Sequence, residues 1–348
     1  MKKIFALMLS AMLVLTLFAS CTNNTAAPST SGTNAADTEN TEKSTDDTDK
    51  DESKPKIGII QYVSHPSLDN CYTGIVEGLE GLDLDITKQT GSDASADSDC
   101  GTYAQNMVAQ KYDMIIAIAT PAAASAFAAT EGTDIPVIFC AVSDPVVAEL
   151  VQSLNKPGYA CTGTSDVLDL DAQVDLIQSM QPDVKSIGIL YTTSEPNSIS
   201  QLETLKEICK DRGITVEASG IQNDADIPAA AAALASKVDC FNNFTDNKVV
   251  NNLSVVLEAA NDAGIPVYGS EVEQVKNGCL AAVSIDYVAL GKVTGEMAKN
   301  VLSGADPAGM AVQTISDATP VVNSEVLASL GMTLPEAYKD AETVTTNK

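Results

Sequence analysis

Nine polar side chains stand just past the ends of apolar runs: Thr120, Ser143, Asp144, Asn197, Ser198, Thr245, Asp246, Glu271 and Asp286. Carboxylates and hydroxyls grouped in this way can hold a cation and donate to an anion. They carry no nucleophile motif. There is no G-x-S-x-G elbow, no Walker loop and no G-x-G-x-x-G after a strand. His65 is the single histidine, which excludes most triads and histidine-based metal sites. The chemistry expected is therefore binding, not catalysis, with no metal and no cofactor. Arg212 is the single arginine and sits in CKDRGI, an exposed helix end, so a bidentate arginine clamp on an anion is not expected. A cleft with acids, hydroxyls and helix N-termini but no arginine suits a zwitterion. Its ammonium would sit on Asp144, Asp246, Glu271 or Asp286. Its carboxylate would sit on the amides after Thr120 or at Asn197-Ser198, where helix dipoles favour negative charge. For each acid the plainer alternative is a helix cap or a lobe-closing salt bridge. Thr120 in particular reads equally well as a cap, and His65, in a proline turn, reads as a surface or capping residue before a cleft-lining one. Tyr62, Tyr191, Phe244 and Tyr268 lie near strand ends, chiefly as packing, with one or two able to stack on a ring.

The elements that must position these residues follow one plan. Met114–Ile118 is an apolar run of the buried parallel type. Thr120-Pro121 then opens an alanine-rich helix, and Val137–Val142 is a second buried strand ending at Ser143-Asp144-Pro145. Strand, helix, strand puts the polar residues at the carboxyl edge of a sheet, where open α/β sheets bind ligands. The plan recurs with Val238–Asn247, then a helix through Ala263, then Ile265–Glu271, Thr245 standing where Thr120 stood. Ile57-Gly58-Ile59-Ile60 is echoed by Ile187-Gly188-Ile189-Leu190. The pairs Ile57/Ile187 and Pro136/Pro266 are each 130 residues apart. This reads as an internal duplication of an α/β lobe. The fold class is α/β, two similar doubly wound parallel-sheet lobes. Helices are further expected over 70–82, 104–111, 146–154, 172–180, 198–212, 229–236 and 287–302. Cys161–Ser165 is expected to cross between lobes, Leu280–Ile285 to return to the first, and 311–314 with 320–323 to make a last crossing.

Bulk composition sets the class. With 348 residues, the chain exceeds the roughly 250–300 at which one core stops growing, so two lobes are expected. A net charge of −27 leaves no basic patch to replace phosphate counterions and argues against nucleic acid. Lys2-Lys3, the apolar stretch Ile4–Phe18 and the small pair Ala19-Ser20 form a secretory signal over 1–20, too short for a span. Cys21 follows directly, as in a bacterial lipobox with Phe18 in place of the usual Leu. It reads as the lipidated first residue of the mature protein, anchored to the membrane without crossing it. Residues 21–54 are rich in Thr, Ser, Asn, Asp and Glu and read as a disordered tether. Lobe 1 is assigned to 55–162 plus 286–316, lobe 2 to 163–285 plus 317–342. Seven cysteines remain after Cys21, none in a C-x-x-C pair, and no essential disulfide is expected.

Taken in order, the lipobox, the tether, IGIIQYVSHPSLD, AIATPAAASA, IPVIFCAVSDP, GTSD at Gly163–Asp166, SEPNS, FTDN, IPVYGSE and SIDYVALG resemble the tryptophan/tyrosine-type substrate-binding lipoproteins of bacterial ABC importers. The resemblance spans about Lys56–Leu334. It implies a type I periplasmic-binding fold with a three-segment hinge and a ligand shut in the cleft. It implies an aromatic or related amino acid as ligand, and a membrane permease with its ATPase as partners. The expectation is an extracytoplasmic, membrane-anchored, monomeric binding protein and not an enzyme. A sugar or nucleoside ligand, or service as a receptor for a membrane signalling protein, are the alternatives. A secreted hydrolase using an acid pair such as Asp246 and Glu271 is the remaining alternative, and it has no recognisable nucleophile motif.

Overall fold

The computed structural model describes residues 54–315 and 319–347. The signal, Cys21 and the tether lie outside the described residues. The first part of the chain gives β1 (Lys56–Gln61), α1 (Pro66–Gly78), β2 (Asp85–Thr90), α2 (Ala96–Ala109), β3 (Met114–Ile118), α3 (Thr120–Thr130), β4 (Val137–Cys140) and β5 (Cys161–Ser165). Then come α4 (Leu170–Met180), β6 (Ser186–Thr192), α5 (Pro196–Asp211), β7 (Thr215–Ile221), α6 (Ile227–Ala235) and β8 (Cys240–Asn242). They are followed by α7 (Asn247–Asn251), α8 (Leu253–Ala263), β9 (Val267–Tyr268) and α9 (Val272–Lys276). The chain closes with β10 (Ala281–Ser284), α10 (Tyr287–Leu302), β11 (Gln313–Thr314), β12 (Thr319–Asn323), α11 (Ser324–Ser329) and β13 (Glu342–Val344).

Two parallel sheets are wound alike. The first has the order β11-β5-β4-β3-β1-β2 and the second β7-β6-β8-β9. Ile57 of β1 pairs with Ile86 and Met114, its neighbours on either side. Ile187 of β6 pairs with Val216 and Cys240 in the same way. The two members of the 130-residue echo thus occupy the same place in the winding, as a duplicated lobe requires. Every residue of β3 and β4 is buried, which is why these strands read as unbroken apolar runs. A third sheet, β10-β12-β13, contains the antiparallel β10–β12 pair and meets β9 of the second lobe through Leu280 N–H to the Val267 carbonyl and Gly269 N–H to the Ala281 carbonyl.

Several segments differ from the sequence reading. Residues 146–154 form turns without a helix: Leu150 N–H bonds back to the Pro145 carbonyl and Glu149 takes a left-handed φ of 58°, which no helix continues through. The single helix expected after Val238–Asn247 and through Ala263 breaks at Asn252 into α7 and α8. Cys161–Ser165 is a strand of the first sheet, between β4 and β11, and the chain leaves that sheet after Ser165. Leu280–Ile285 centres on β10, which pairs within the second lobe before α10 packs on α1. That packing uses small residues. A Cβ on Gly74 or Gly291 would collide with the Val288 or Cys71 carbonyl oxygen of the facing helix, so the two backbones touch. The seven cysteines among the described residues are buried free thiols.

Candidate functional site

A cavity with about 350 Å³ of space free of protein atoms, part of it open to solvent, lies between the carboxyl edges of the two sheets. Its lobe-1 wall includes His65, Ser67, Leu68, Ala119, Thr120, Ala141 and Ser143, and its lobe-2 wall Asn197, Thr245, Asn247, Val250, Glu271 and Gln274. Asp166 and Tyr287, from the segments that join the lobes, complete it.

Three helices begin at this cavity without a side-chain cap: α1 after His65, α3 after Ala119 and α5 after Glu195, each with proline in its first turn. Their first N–H groups have no intrahelical partner, so the partial positive ends of the helix dipoles stand open there. Thr120 was expected to cap α3. It is instead the first helical residue, behind Ala119 at φ 80°. Ala141, at the end of β4, has φ 56°. Left-handed backbone at a non-glycine residue is strained and is commonly held where a site needs it. Here both residues are small and line the cavity.

The sequence-derived set divides by geometry. Thr120, Ser143, Asn197, Thr245 and Glu271 line the cavity. Asp144, Ser198, Asp246 and Asp286 do not. Asp246 is fully buried. It accepts from Thr192 N (2.6 Å), Thr192 Oγ1 (2.7 Å), Ser198 Oγ (2.7 Å) and Val249 N (3.0 Å). With four donors it caps α7 and has no lone pair to spare, and Ser198 is spent on it. Asp286 is exposed and caps α10 through Val288 and Ala289 N–H. Asp144 reaches across the lobes to Ser200 Oγ at 2.9 Å.

The carboxylates that do reach the cavity are Glu271 and Asp166. Glu271 caps α9, accepting from Gln274 N and Glu273 N at 2.7 Å each. Burial nevertheless pushes its carboxyl up to about 7. Asp166 accepts from Ser143 Oγ (2.9 Å) and Tyr287 OH (2.8 Å); burial raises it and these two bonds oppose the rise. Ser143 in turn accepts from Gln201 Nε2 of the second lobe at 3.1 Å. No lysine or arginine lines the cavity. Sequence reasoning did not assign Asp166, Tyr287 or Asn247. The first two stood inside the GTSD and SIDYVALG motifs and Asn247 closed FTDN, which was the available signal.

A family description, ABC transporter substrate binding protein, matches residues 56–344. A tyrosine-binding protein of Clostridioides difficile (strain R20291) is 36% identical over 335 residues, covering 95% of this chain and 93% of its own. Among solved structures, the ABC domain in complex with L-Trp from Streptococcus pneumonia has a TM-score of 0.80 at 38% identity, covering 84% of this chain and all of that one. A ligand-free, open substrate-binding protein with adhesive properties from Clostridium difficile has a TM-score of 0.65 at the same 38% identity, again over 84% of this chain and 100% of that one. At equal identity the present conformation is nearer to the ligand-bound structure than to the open one. The architecture is a type I periplasmic-binding fold.

Proposed function

We propose, for a chain that belongs to the ABC transporter substrate-binding protein family, that its ligand is an aromatic amino acid, tyrosine or tryptophan being the first to test. One observation carries the reading. Asp166 and Glu271 line a cavity that has no lysine or arginine, while α1 and α3 open into it uncapped. The ammonium sits on the carboxylates and the carboxylate on the helix N-termini. Thr120, Ser143, Asn197 and Thr245 contribute polar contacts. Leu68, Val250, Ala119 and Ala141 form the apolar slot. The relatives that bind tyrosine and L-Trp support this choice over a sugar. Ligand touching both walls stabilises only the closed arrangement and shifts the population toward it. No bond is made or broken. The hinge includes the passages of the chain between lobes near 165–169 and 285–286. In this reading the protein works outside the cytoplasm as a monomer, held to the membrane through lipidated Cys21, and hands its ligand to a permease driven by a separate ATPase.

Thermal denaturation of the purified protein with each amino acid, then with sugars and nucleosides, tests the ligand class. Ligand at 100 times its dissociation constant adds about 2.7 kcal/mol. L-Tyr, L-Trp or L-Phe is expected to raise the midpoint. Asp166→Asn should weaken that ligand about 10- to 100-fold, the range of a hydrogen bond to a charged group, about 1.5–3 kcal/mol. A rise with sugars or nucleosides alone would overturn the amino-acid assignment.

A further inference from the structure

Glu195 is not part of the cavity wall, yet it touches two residues that are. It is buried at the N-terminus of α5. Its Oε2 accepts from Asn247 Nδ2 (2.7 Å), Asn247 N (3.1 Å) and Asn197 Nδ2 (3.2 Å). Both amides are thereby turned with their NH2 groups inward. The carbonyl of Asn247 then faces the first lobe and lies 3.3 Å from His65 Nε2. A carbonyl oxygen can only accept, so Nε2 must carry the proton. His65 is 9% exposed, and burial lowers its pKa against the opposing pull of Asn247, Asp69 and Asp93. A neutral ring protonated at Nε2 has a bare lone pair on Nδ1. Nδ1 of His65 and Oδ1 of Asn197 are both buried without a hydrogen-bond partner, and both residues line the cavity. Buried polar atoms of this kind call for a partner.

We propose that Glu195 is a positioning residue: through Asn247 it fixes the histidine of the opposite lobe as the neutral Nε2–H tautomer, and through Asn197 it presents a second acceptor, so that the cleft offers the ligand's ammonium acceptors from both lobes. Flipping either amide would set its oxygen against Glu195 Oε2 and remove one of the three N–H donors that oxygen takes. The histidine therefore reports closure as well as contact, because its Nε2 partner belongs to the other lobe. The assignment of the acceptors to an ammonium rests on the amino-acid reading. The tautomer does not.

Since His65 is the sole histidine, the nitrogen-15 spectrum of the ring in the whole protein gives the tautomer without assignment. A pyridine-type Nδ1 and a pyrrole-type Nε2 are expected at neutral pH with L-Tyr bound, and equally in Glu195→Gln, whose amide oxygen keeps an acceptor in place. Glu195→Leu and Asn247→Leu should each give a mixed or Nδ1–H ring. A protonated or Nδ1–H ring in the wild type, or an unchanged ring in both leucine variants, would overturn the relay. The second readout is discrimination between L-Tyr and N,N-dimethyl-L-tyrosine, which keeps the charge but loses two of three N–H donors. Wild type and Glu195→Gln should prefer L-Tyr at least tenfold, and Glu195→Leu should lose most of that preference. An Nε2–H ring without such a preference would keep the relay and overturn the placement of the ammonium on these acceptors. Absence of amino-acid binding with the expected tautomers would sink the ligand reading and that placement while leaving the relay standing.

Discussion

Glu271 holds two positions at once. Its oxygens cap α9 through two backbone N–H groups, and the same side chain lines the cavity. A free glutamate ionises near 4.5, whereas burial raises this one to about 7. Between those values the unfolded chain has released the proton and the folded chain retains it. The contribution of Glu271 to stability without ligand is therefore fully present below about 4.5 and is lost as pH rises to about 7. A bound ammonium reverses the preference, because an adjacent cation favours the ionised carboxylate. Binding should release a proton, and affinity should climb from pH 5 to about 7, by at most tenfold per unit, then level off. Titration calorimetry in buffers of different ionisation enthalpy counts the proton. Proton uptake, or a flat profile that Glu271→Gln leaves unchanged, would contradict the assignment. At this scale the sequence was legible only in part. Acids at strand ends are visible as such, but Asp246 and Asp286, which only cap, look the same in a sequence as Glu271, which caps and also lines the cavity. What separates them is how many donors surround each carboxylate, which depends on residues far away, such as Thr192 against Asp246.

The helices that carry the first-lobe wall are fixed by glycine contacts. His65, Ser67 and Leu68 stand at the start of α1, and Tyr287 starts α10. Gly74, Gly78, Gly291 and Gly295 let the two helices meet backbone to backbone. The colliding atoms are carbonyl oxygens and Cα atoms, which cannot swing aside as a side chain would. Gly291→Ala should therefore cost about 1–3 kcal/mol, lower the melting temperature by several degrees, and weaken ligand binding by moving the α1 N-terminus. Gly101→Ala in α2, with open space around the added methyl, should leave the melting temperature unchanged or raise it slightly. Equal effects of the two substitutions would contradict the packing argument. The strand–helix alternation and the duplicated winding were readable because buried parallel strands and proline-started helices have local signatures. The antiparallel β10–β12 pair and the turns over 146–154 were not. Short strands gain their identity from partners, and the left-handed Glu149 has no compositional sign.

Closure of the whole molecule is held by bridges beyond the ligand contacts. Ser200 Oγ donates to Asp144 Oδ2 at 2.9 Å, and Asn251 Nδ2 donates to Asp93 Oδ1 at 2.9 Å. Both cross from the second lobe to the first, and none of the four residues lines the ligand cavity. Contacts between lobes are lost when the lobes part, so each bridge is expected to bias the equilibrium toward closure without touching the ligand. The apparent dissociation constant is the intrinsic one divided by the closed fraction. Exposed bridges are modest, so Asp93→Ala with Ser200→Ala should together remove about 1 kcal/mol, weakening binding about fivefold. The loss should fall mainly on the off-rate. Small-angle scattering during a ligand titration can follow the fall in radius of gyration as the lobes shut. The double variant is expected to reach the same final radius as wild type but to need about five times more ligand. A different end radius would mean that the bridges shape the closed state itself. An identical midpoint would mean that closure is governed by the cavity contacts alone, leaving Asp144 and Asp93 as surface acids with no part in the binding equilibrium.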